Sequence, residues 1–177
     1  MDTISLDASV AITGISRSTL WRRVTDGTIG RGDKDERSRA MLALGDVLGL
    51  VDLKLSAEDI ALLLQADQGK AGAQAELGAL FALAALREAQ AAKPVTARGG
   101  GSAVPALYFL TRAADQGEAD AMHWLGLLHA AGLGDAAERD AQALMWVARA
   151  AAHGHAIAAR QVAALLPAGG GNQAAQQ

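Results

Sequence analysis

A helix, a glycine and a second helix follow one another three times along the chain, and this repetition constrains the fold more than any other feature. The glycines are Gly69, Gly117 and Gly154, and the last two are 37 residues apart. The first two are 48 residues apart, and the difference matches a proline- and glycine-rich stretch at 91–105. A period near 37 residues is typical of helical-hairpin repeats, which bury a common core only by stacking on their neighbours.

The segments before the second and third glycines agree position by position. Each opens on an alanine, has an aromatic residue three positions later and an arginine six positions later, Arg112 or Arg149. The letters ADQG stand at 66–69 and again at 114–117. Because glycine readily adopts the left-handed backbone that ends a helix, the pattern predicts that one helix ends and the next begins at each glycine.

The composition favours the same architecture. Of the 177 residues, 51% are hydrophobic and only 3% are aromatic, and alanine dominates the hydrophobic share. Alanine is the best helix former but buries little area, so stability must come from many close helix contacts. We expect a mainly α fold in which residues 1–54 form one domain and residues 55–166 form the repeats. A flexible insertion is expected at 91–105 and a disordered tail at 167–177.

The repeats resemble the Sel-one-like family, which is related to the tetratricopeptide repeats. The family signature is matched by WVARAAAHG at 146–154, by AMHWLG at 121–126 and by the G-x-G loop at 132–134. The resemblance covers about 58–166 and implies a short α/α solenoid of helical hairpins that binds a protein partner and is not catalytic. Most aromatic side chains should fill gaps between the alanine-rich helices. The candidates for contact with a partner are Tyr108, Arg112, Trp124, Trp146 and Arg149.

The N-terminal stretch VAITGISRSTLWRRVTDGTIGR predicts two short helices around a tight turn. The first should run from about Leu6 to Thr13 and stop at Gly14, and Ser16 should cap a second helix that ends near Gly27. The charged stretch that follows predicts a β-hairpin wing, with 28–29 and 40–42 as its two strands, and then another short helix at 45–47. Two helices joined in this way form a helix-turn-helix, whose second helix can enter a DNA major groove.

This stretch resembles the winged-helix DNA-binding domains of the MerR and phage-excisionase type. The matching residues are Gly14-Ile15-Ser16, Thr19-Leu20-Trp21-Arg22 and Gly27. The resemblance covers about 50 residues and implies a small winged helix-turn-helix domain that binds double-stranded DNA. Leu20 and Val24 would face the core. The residues that the resemblance and the charge pattern place at DNA are Arg17, Ser18, Thr19, Arg22, Arg23, Arg31, Lys34, Arg37 and Arg39.

The charge balance leaves two functions open. Between residues 17 and 39 there are seven cations and four acids, a modest excess for a surface that must attract phosphates. One hypothesis is a non-enzymatic bacterial adaptor or regulator whose repeats bind a protein and whose winged helix binds DNA, with a homodimer among its candidate states. The alternative is a pure scaffold or accessory subunit of a larger assembly such as a secretion system. In that case the winged helix would dock on protein or cap the repeats.

The sequence contains no constellation typical of an enzyme. It has no cysteine and no P-loop, H-E-x-x-H or G-x-S-x-G motif. His123 and His129 are six residues apart, a spacing that does not suit a helical metal pair, and His153 aligns with a turn glutamine of the other repeats. We therefore expect no catalytic residue, no metal and no cofactor. Without a signal pattern or an apolar run of about 18 residues, we also expect a cytoplasmic protein with no membrane span.

Overall fold

The computed structural model describes residues 2–91, 101–134 and 137–165. These ranges are mainly helical, as the alanine-rich sequence predicts. In chain order their elements are β1 (Thr3–Ser5), α1 (Leu6–Thr13), α2 (Arg17–Thr25), β2 (Met41–Ala43), α3 (Leu44–Leu48), α4 (Ala57–Asp67), α5 (Ala71–Gln90), α6 (Ala103–Asp115), α7 (Ala119–Ala130), α8 (Arg139–Ala152) and α9 (Ala156–Leu165).

In the N-terminal part, residues 2–54, two helices are joined by a tight turn at Gly14. The hydroxyl of Ser5 accepts a hydrogen bond from the first turn of α1, and Gly14 ends that helix with a φ of 63°. The hydroxyl of Ser16 caps α2 in the same way. The predicted bounds of α1 and the predicted cap of α2 are confirmed, because both depend on local capping chemistry. Helix α2 ends at Thr25, two residues before the predicted end near Gly27.

The predicted wing was wrong in its strand pairing. Strand β2 pairs antiparallel with β1, with Leu42 opposite Ile4, and not with residues 28–29. The segment that was expected to form the first strand of the wing contacts β2 only through an isolated bridge between Arg31 and Leu42. The pairing with β1 has a physical reason, since it places the side chains of Ile4 and Leu42 in one core, where both are fully buried. The short helix predicted at 45–47 is present as α3.

The rest of the described chain consists of three helical hairpins, α4–α5, α6–α7 and α8–α9, which pack in sequence order. Their turns share one geometry, because Gly69, Gly117 and Gly154 have φ values of 91°, 95° and 90°. In each turn the N–H of the residue after the glycine donates to the carbonyl five positions back, at 3.0 to 3.2 Å. These are the bonds of a Schellman motif, which satisfies the last carbonyls of a helix. The prediction of a helix end at each glycine is confirmed.

A second glycine position explains how neighbouring hairpins approach one another. A Cβ on Gly78 in α5 would lie 2.6 Å from the side chain of Leu110 in α6. Gly78 lies nine residues after its turn glycine, and Gly126 lies nine residues after the next one. A Cβ on Gly126 would lie 2.7 Å from the side chain of Val147 in α8. The aligned position of the third hairpin is Ala163. Glycine therefore occupies this position in the first two hairpins, on which another hairpin packs closely, and alanine occupies it in the third.

Glycine- and proline-rich residues separate the first and second hairpins. Helix α5 ends at Gln90, just before the predicted insertion at 91–105, whereas α6 already begins at Ala103, inside the predicted range. Ser102 fixes the start of α6, since its backbone N–H and its hydroxyl both donate to the carboxylate of Glu88. Residues 92–100 and the predicted tail at 167–177 lie outside the described residues. Within the described part, none of the helices has the length and apolar character that a bilayer crossing requires.

Candidate functional site

The first copy of ADQG contains a buried aspartate that holds the N-terminal part against the hairpins. The carboxylate of Asp67 accepts hydrogen bonds from the backbone N–H of Ser5 at 2.9 Å and from the Ser5 hydroxyl. Nη1 of Arg39 donates to the same carboxylate at 2.9 Å and to the Asp67 carbonyl at 2.8 Å. We call Ser5, Arg39 and Asp67 the joint. Because Asp67 is only 8% exposed, these bonds replace the water that its charge has lost.

The arginine of the joint is itself held by a second carboxylate. Nε of Arg39 donates to Asp35 at 2.7 Å, and the Arg39 backbone N–H donates to the same carboxyl group at 2.7 Å. Burial opposes the charge on Asp35, but these hydrogen bonds outweigh it and hold its pKa below the usual value. Arg39 therefore links the expected wing segment to the first hairpin, and its guanidinium is already paired with two carboxylates.

Beside the joint lies a groove of about 410 Å³ between the N-terminal part and the first two hairpins. Both copies of ADQG contribute to it. Its lining consists of Asp7, Arg37, Arg39, Ala66, Asp67, Gly69, Gln74, Tyr108, Phe109, Arg112, Asp115 and Gln116. A concave surface at the junction of separate parts of the chain is a common setting for a binding site.

The two hairpins that line the groove are linked by a pair of glutamines. The side-chain amide of Gln116 donates to the side-chain oxygen of Gln74 at 2.8 Å. Gln74 is buried and donates its own amide to the Ala66 carbonyl at 2.9 Å. The glutamine at the second ADQG therefore fixes the position of that turn over the start of α5.

The groove lining has three arginines and three aspartates, but not all of them are in ion pairs. Asp7 pairs with Arg17, and Asp67 pairs with Arg39. Within the described ranges, neither Arg37 nor Arg112 has a carboxylate at ion-pair distance. The Arg112 guanidinium instead stacks over the ring of Tyr108, with 4.2 Å from its carbon to the ring centroid. Burial raises the pKa of the Tyr108 hydroxyl, so this side chain is a neutral hydrogen-bonding group.

A second exposed surface lies on α2. Ser18, Trp21, Arg22 and Thr25 are spaced by three and four residues, and all four are exposed. Leu20 faces the core and is fully buried, as predicted. The four exposed residues form one stripe along the helix, which we call the outer face of α2.

A cation from outside α2 reaches the same surface. The Arg31 guanidinium lies 5.3 Å from the centre of the Trp21 ring. At the end of the helix, hydrogen bonds from the side chain and backbone of Thr28 lower the pKa of Asp26, so that carboxylate is ionised. The outer face therefore presents two cations and an aromatic ring, with one acid at its edge.

The structure separates the nine residues that the sequence places at DNA. Ser18, Arg22 and Arg31 lie at the outer face of α2. Arg17 is paired with Asp7, Arg39 belongs to the joint, and Arg37 lines the groove. The remaining three are Thr19 and Arg23, which are half-buried, and Lys34, which is exposed.

The candidates for protein contact lie on the second and third hairpins. Tyr108 and Arg112 line the groove, whereas Trp146 is 9% exposed and packs into the core. The Arg149 guanidinium covers the Trp146 ring at 4.6 Å from the centroid. Trp124 is half-buried against the same core. The third hairpin therefore repeats the arrangement of an exposed arginine over an aromatic ring.

Two histidines that are distant in sequence meet where the second and third hairpins pack together. The rings of His123 and His155 stack at 4.1 Å between centroids, and Nε2 of His155 lies 3.5 Å from a carboxylate oxygen of Asp120. Burial and the neighbouring His155 lower the pKa of His123. In the part of the chain that the structure describes, no three His, Cys, Asp or Glu side chains are grouped so as to hold a metal ion.

Sequence reasoning missed Asp7, Asp67, Gln74, Asp115 and Gln116 as lining residues. The repeat alignment carried a partial signal, because ADQG keeps a charged and an amide residue where the third copy has Ala152 and His153. Comparisons of the chain with protein-family models, with curated proteins and with solved structures gave no match.

Proposed function

We propose that the chain is a non-enzymatic adaptor whose helical hairpins bind a segment of a partner protein. The observation that carries the proposal is the groove, which has unpaired cations, amides and one half-buried aromatic ring along a concave surface. Stacked hairpins of the Sel-one-like kind would present such a surface by construction, since each hairpin adds the same side-chain positions. Hydrogen-bonding groups that are fixed before binding lower the entropic cost of ordering a partner segment.

Site-specific photo-crosslinking tests this proposal. A photoreactive phenylalanine analogue at position 115, an exposed groove position, should capture one discrete protein in extracts of the source cells. The same analogue at position 76, an exposed site of α5 outside the groove, serves as the control. Equal capture from both positions, or no adduct at position 115, would contradict a partner site in the groove.

The outer face of α2 supports a second function, binding of double-stranded DNA. A stripe with a serine, a threonine, an arginine and a tryptophan supplies both phosphate contacts and groups for base edges. This surface is free of covering elements in the described chain, whereas Leu20 on the opposite side anchors the helix in the core. Its charge is small, so binding should be weak and sensitive to salt.

Replacing Arg22 and Arg23 together by alanine should abolish measurable binding to duplex DNA near 50 mM salt without unfolding the chain. Each single replacement should instead weaken binding and reduce the slope of log affinity against log salt by about one. Fluorescence anisotropy with a labelled duplex measures both quantities. Arg160→Ala on α9, an exposed arginine far from α2 in the chain, is the control. If the unmodified protein fails to bind duplex DNA at low salt, the outer face is better assigned to protein docking, as in the scaffold alternative.

A further inference from the structure

We propose that the groove and the exposed Arg149 on the third hairpin bind an extended acidic segment, and that Arg37, Arg112 and Arg149 contact its carboxylates. We call these three residues the arginine row. The inference rests on the proposed adaptor function and specifies the chemistry of the partner.

Two members of the row occupy equivalent positions in successive hairpins. Arg112 and Arg149 each stand in the last turn of the first helix of a hairpin, five residues before the turn glycine. Each guanidinium stacks on an aromatic ring of its own helix, at 4.2 Å over Tyr108 and 4.6 Å over Trp146. Stacking uses the face of the guanidinium plane and leaves its N–H groups at the edge for a carboxylate. The repeat therefore produces two oriented anion contacts with the same local construction.

The third member comes from the N-terminal part. Nη1 of Arg37 lies 3.0 Å from the position that a Cβ on Gly69 would take. In the next hairpin, the corresponding place over Gly117 is taken by the ring of His153, at 3.9 Å. His153 belongs to the following hairpin, whereas Arg37 comes from the N-terminal part, which precedes the first turn. Arg37 extends the row of cations to the first hairpin.

The balance of free charges decides the sign of the partner. Among the described residues, none of the three arginines has a carboxylate at ion-pair distance. The acids Asp7 and Asp67 are neutralised by Arg17 and Arg39, which leaves Asp115 as the one groove acid without a cation partner in the described ranges. Among the groove charges that lack an ion-pair partner, two cations, Arg37 and Arg112, stand against one acid, and Arg149 adds a further cation on the next hairpin. This excess makes the surface complementary to an acidic segment.

The distance between hairpins sets the expected spacing of the acids. Packed helices lie about 8–10 Å apart, and an extended chain advances about 3.3 Å per residue. Helices α6 and α8 both pack on α7 between them, so the step from Arg112 to Arg149 is up to two such distances, or about five to six residues of an extended partner. A segment with an acidic residue at every third position therefore carries an acid at this longer spacing as well.

Fluorescence anisotropy with synthetic peptides tests the proposal on the full-length protein. The acidic probe is a labelled twelve-residue peptide that repeats Glu-Ser-Gly, and its neutral counterpart repeats Gln-Ser-Gly, both about the length needed to span three hairpins. The acidic peptide should bind at least about tenfold more tightly than the neutral one at low ionic strength. Arg112→Gln and Arg149→Gln should each weaken acidic binding about tenfold, and Asp115→Asn should strengthen it two- to threefold.

Arg87→Gln is the matched control. Arg87 is also an exposed arginine in the last turn of a helix, but it lies on the second helix of its hairpin. Circular dichroism verifies that each variant is folded. An equal loss of affinity in Arg87→Gln, or equal binding of the acidic and neutral peptides, would overturn the proposal.

Two further results separate this inference from the functions on which it rests. If photo-crosslinking at position 115 captures a partner that the acidic peptide does not displace, the adaptor function stands and the acidic specificity is wrong. If duplex DNA displaces the acidic peptide and Arg112→Gln weakens the DNA complex equally, the row is a nucleic-acid surface and the proposal fails. Displacement of the captured partner by the acidic peptide alone, and not by the neutral one, supports the proposal.

Discussion

Replacing Asp67 by asparagine is expected to lower the free energy of unfolding by about 3 kcal/mol, because it breaks a buried ion pair inside the joint. One carboxylate oxygen accepts from the Ser5 hydroxyl and from Arg39, and the other accepts from the Ser5 backbone N–H. An asparagine must place its NH₂ group at one of these two positions. In either orientation, a donor then faces another donor from which water is largely excluded.

Urea unfolding monitored by circular dichroism measures this change. The midpoint should fall with little change in the slope, and the melting temperature should fall by about 10 °C. Asp115→Asn is the control, because Asp115 is the equivalent residue in the second copy of ADQG. It is exposed and has no ion pair in the described chain. It should change stability by less than about 0.5 kcal/mol. Equal effects of the two variants would show that the joint does not stabilise the fold.

Replacing Gly78 by alanine is expected to destabilise the protein by about 2 kcal/mol, although alanine is the better helix former by about 1 kcal/mol. The new Cβ would lie 2.6 Å from Cγ of Leu110 and 3.0 Å from its backbone nitrogen. A rotamer change can move the side chain, but it cannot move the backbone. Helices α5 and α6 must therefore separate, and this separation opens gaps in a close-packed interface.

Gly72→Ala tests the opposite sign in the same helix. No atom lies within 4 Å of a Cβ built on Gly72, so this variant should be neutral or more stable by up to about 1 kcal/mol. Combining Gly78→Ala with Leu110→Ala should cost less than the sum of the two single changes, because the smaller side chain relieves part of the clash. Thermal melts of the four variants measure these differences. Strict additivity would contradict the contact between α5 and α6 described above.

The sequence predicts the helix ends because their chemistry is local. A serine cap and a turn glycine act through hydrogen bonds within five residues, so alignment of three glycines is enough to place the turns. Arg112, Arg149 and Tyr108 could be selected for a similar reason, since they recur or stand at fixed distances from those glycines. Their stacking within one helix follows from the helical spacing of three and four residues.

The strand pairing and the joint depend on contacts between remote segments, which local patterns do not encode. The partner of β2 comes from residues 3–5 and not from the adjacent wing. Asp67 and Asp115 stand in identical tetrapeptides, yet only Asp67 meets Ser5, 62 positions earlier in the chain. The pairing of Arg17 with Asp7 likewise requires that α1 and α2 fold back on each other. Charge counting along the sequence therefore overestimated the cations available at the outer face of α2.

The groove has two walls that belong to different segments, and this has a thermodynamic consequence. One wall contains Arg37 from the N-terminal part, and the other contains Arg112 and Asp115 from the second hairpin. A ligand that touches both walls binds only when the two segments are docked, so part of its binding free energy favours docking. The coupling is reciprocal, because anything that favours docking also raises the affinity of the groove. Occupancy of the groove is thus linked to the docking of the N-terminal part, which carries α2.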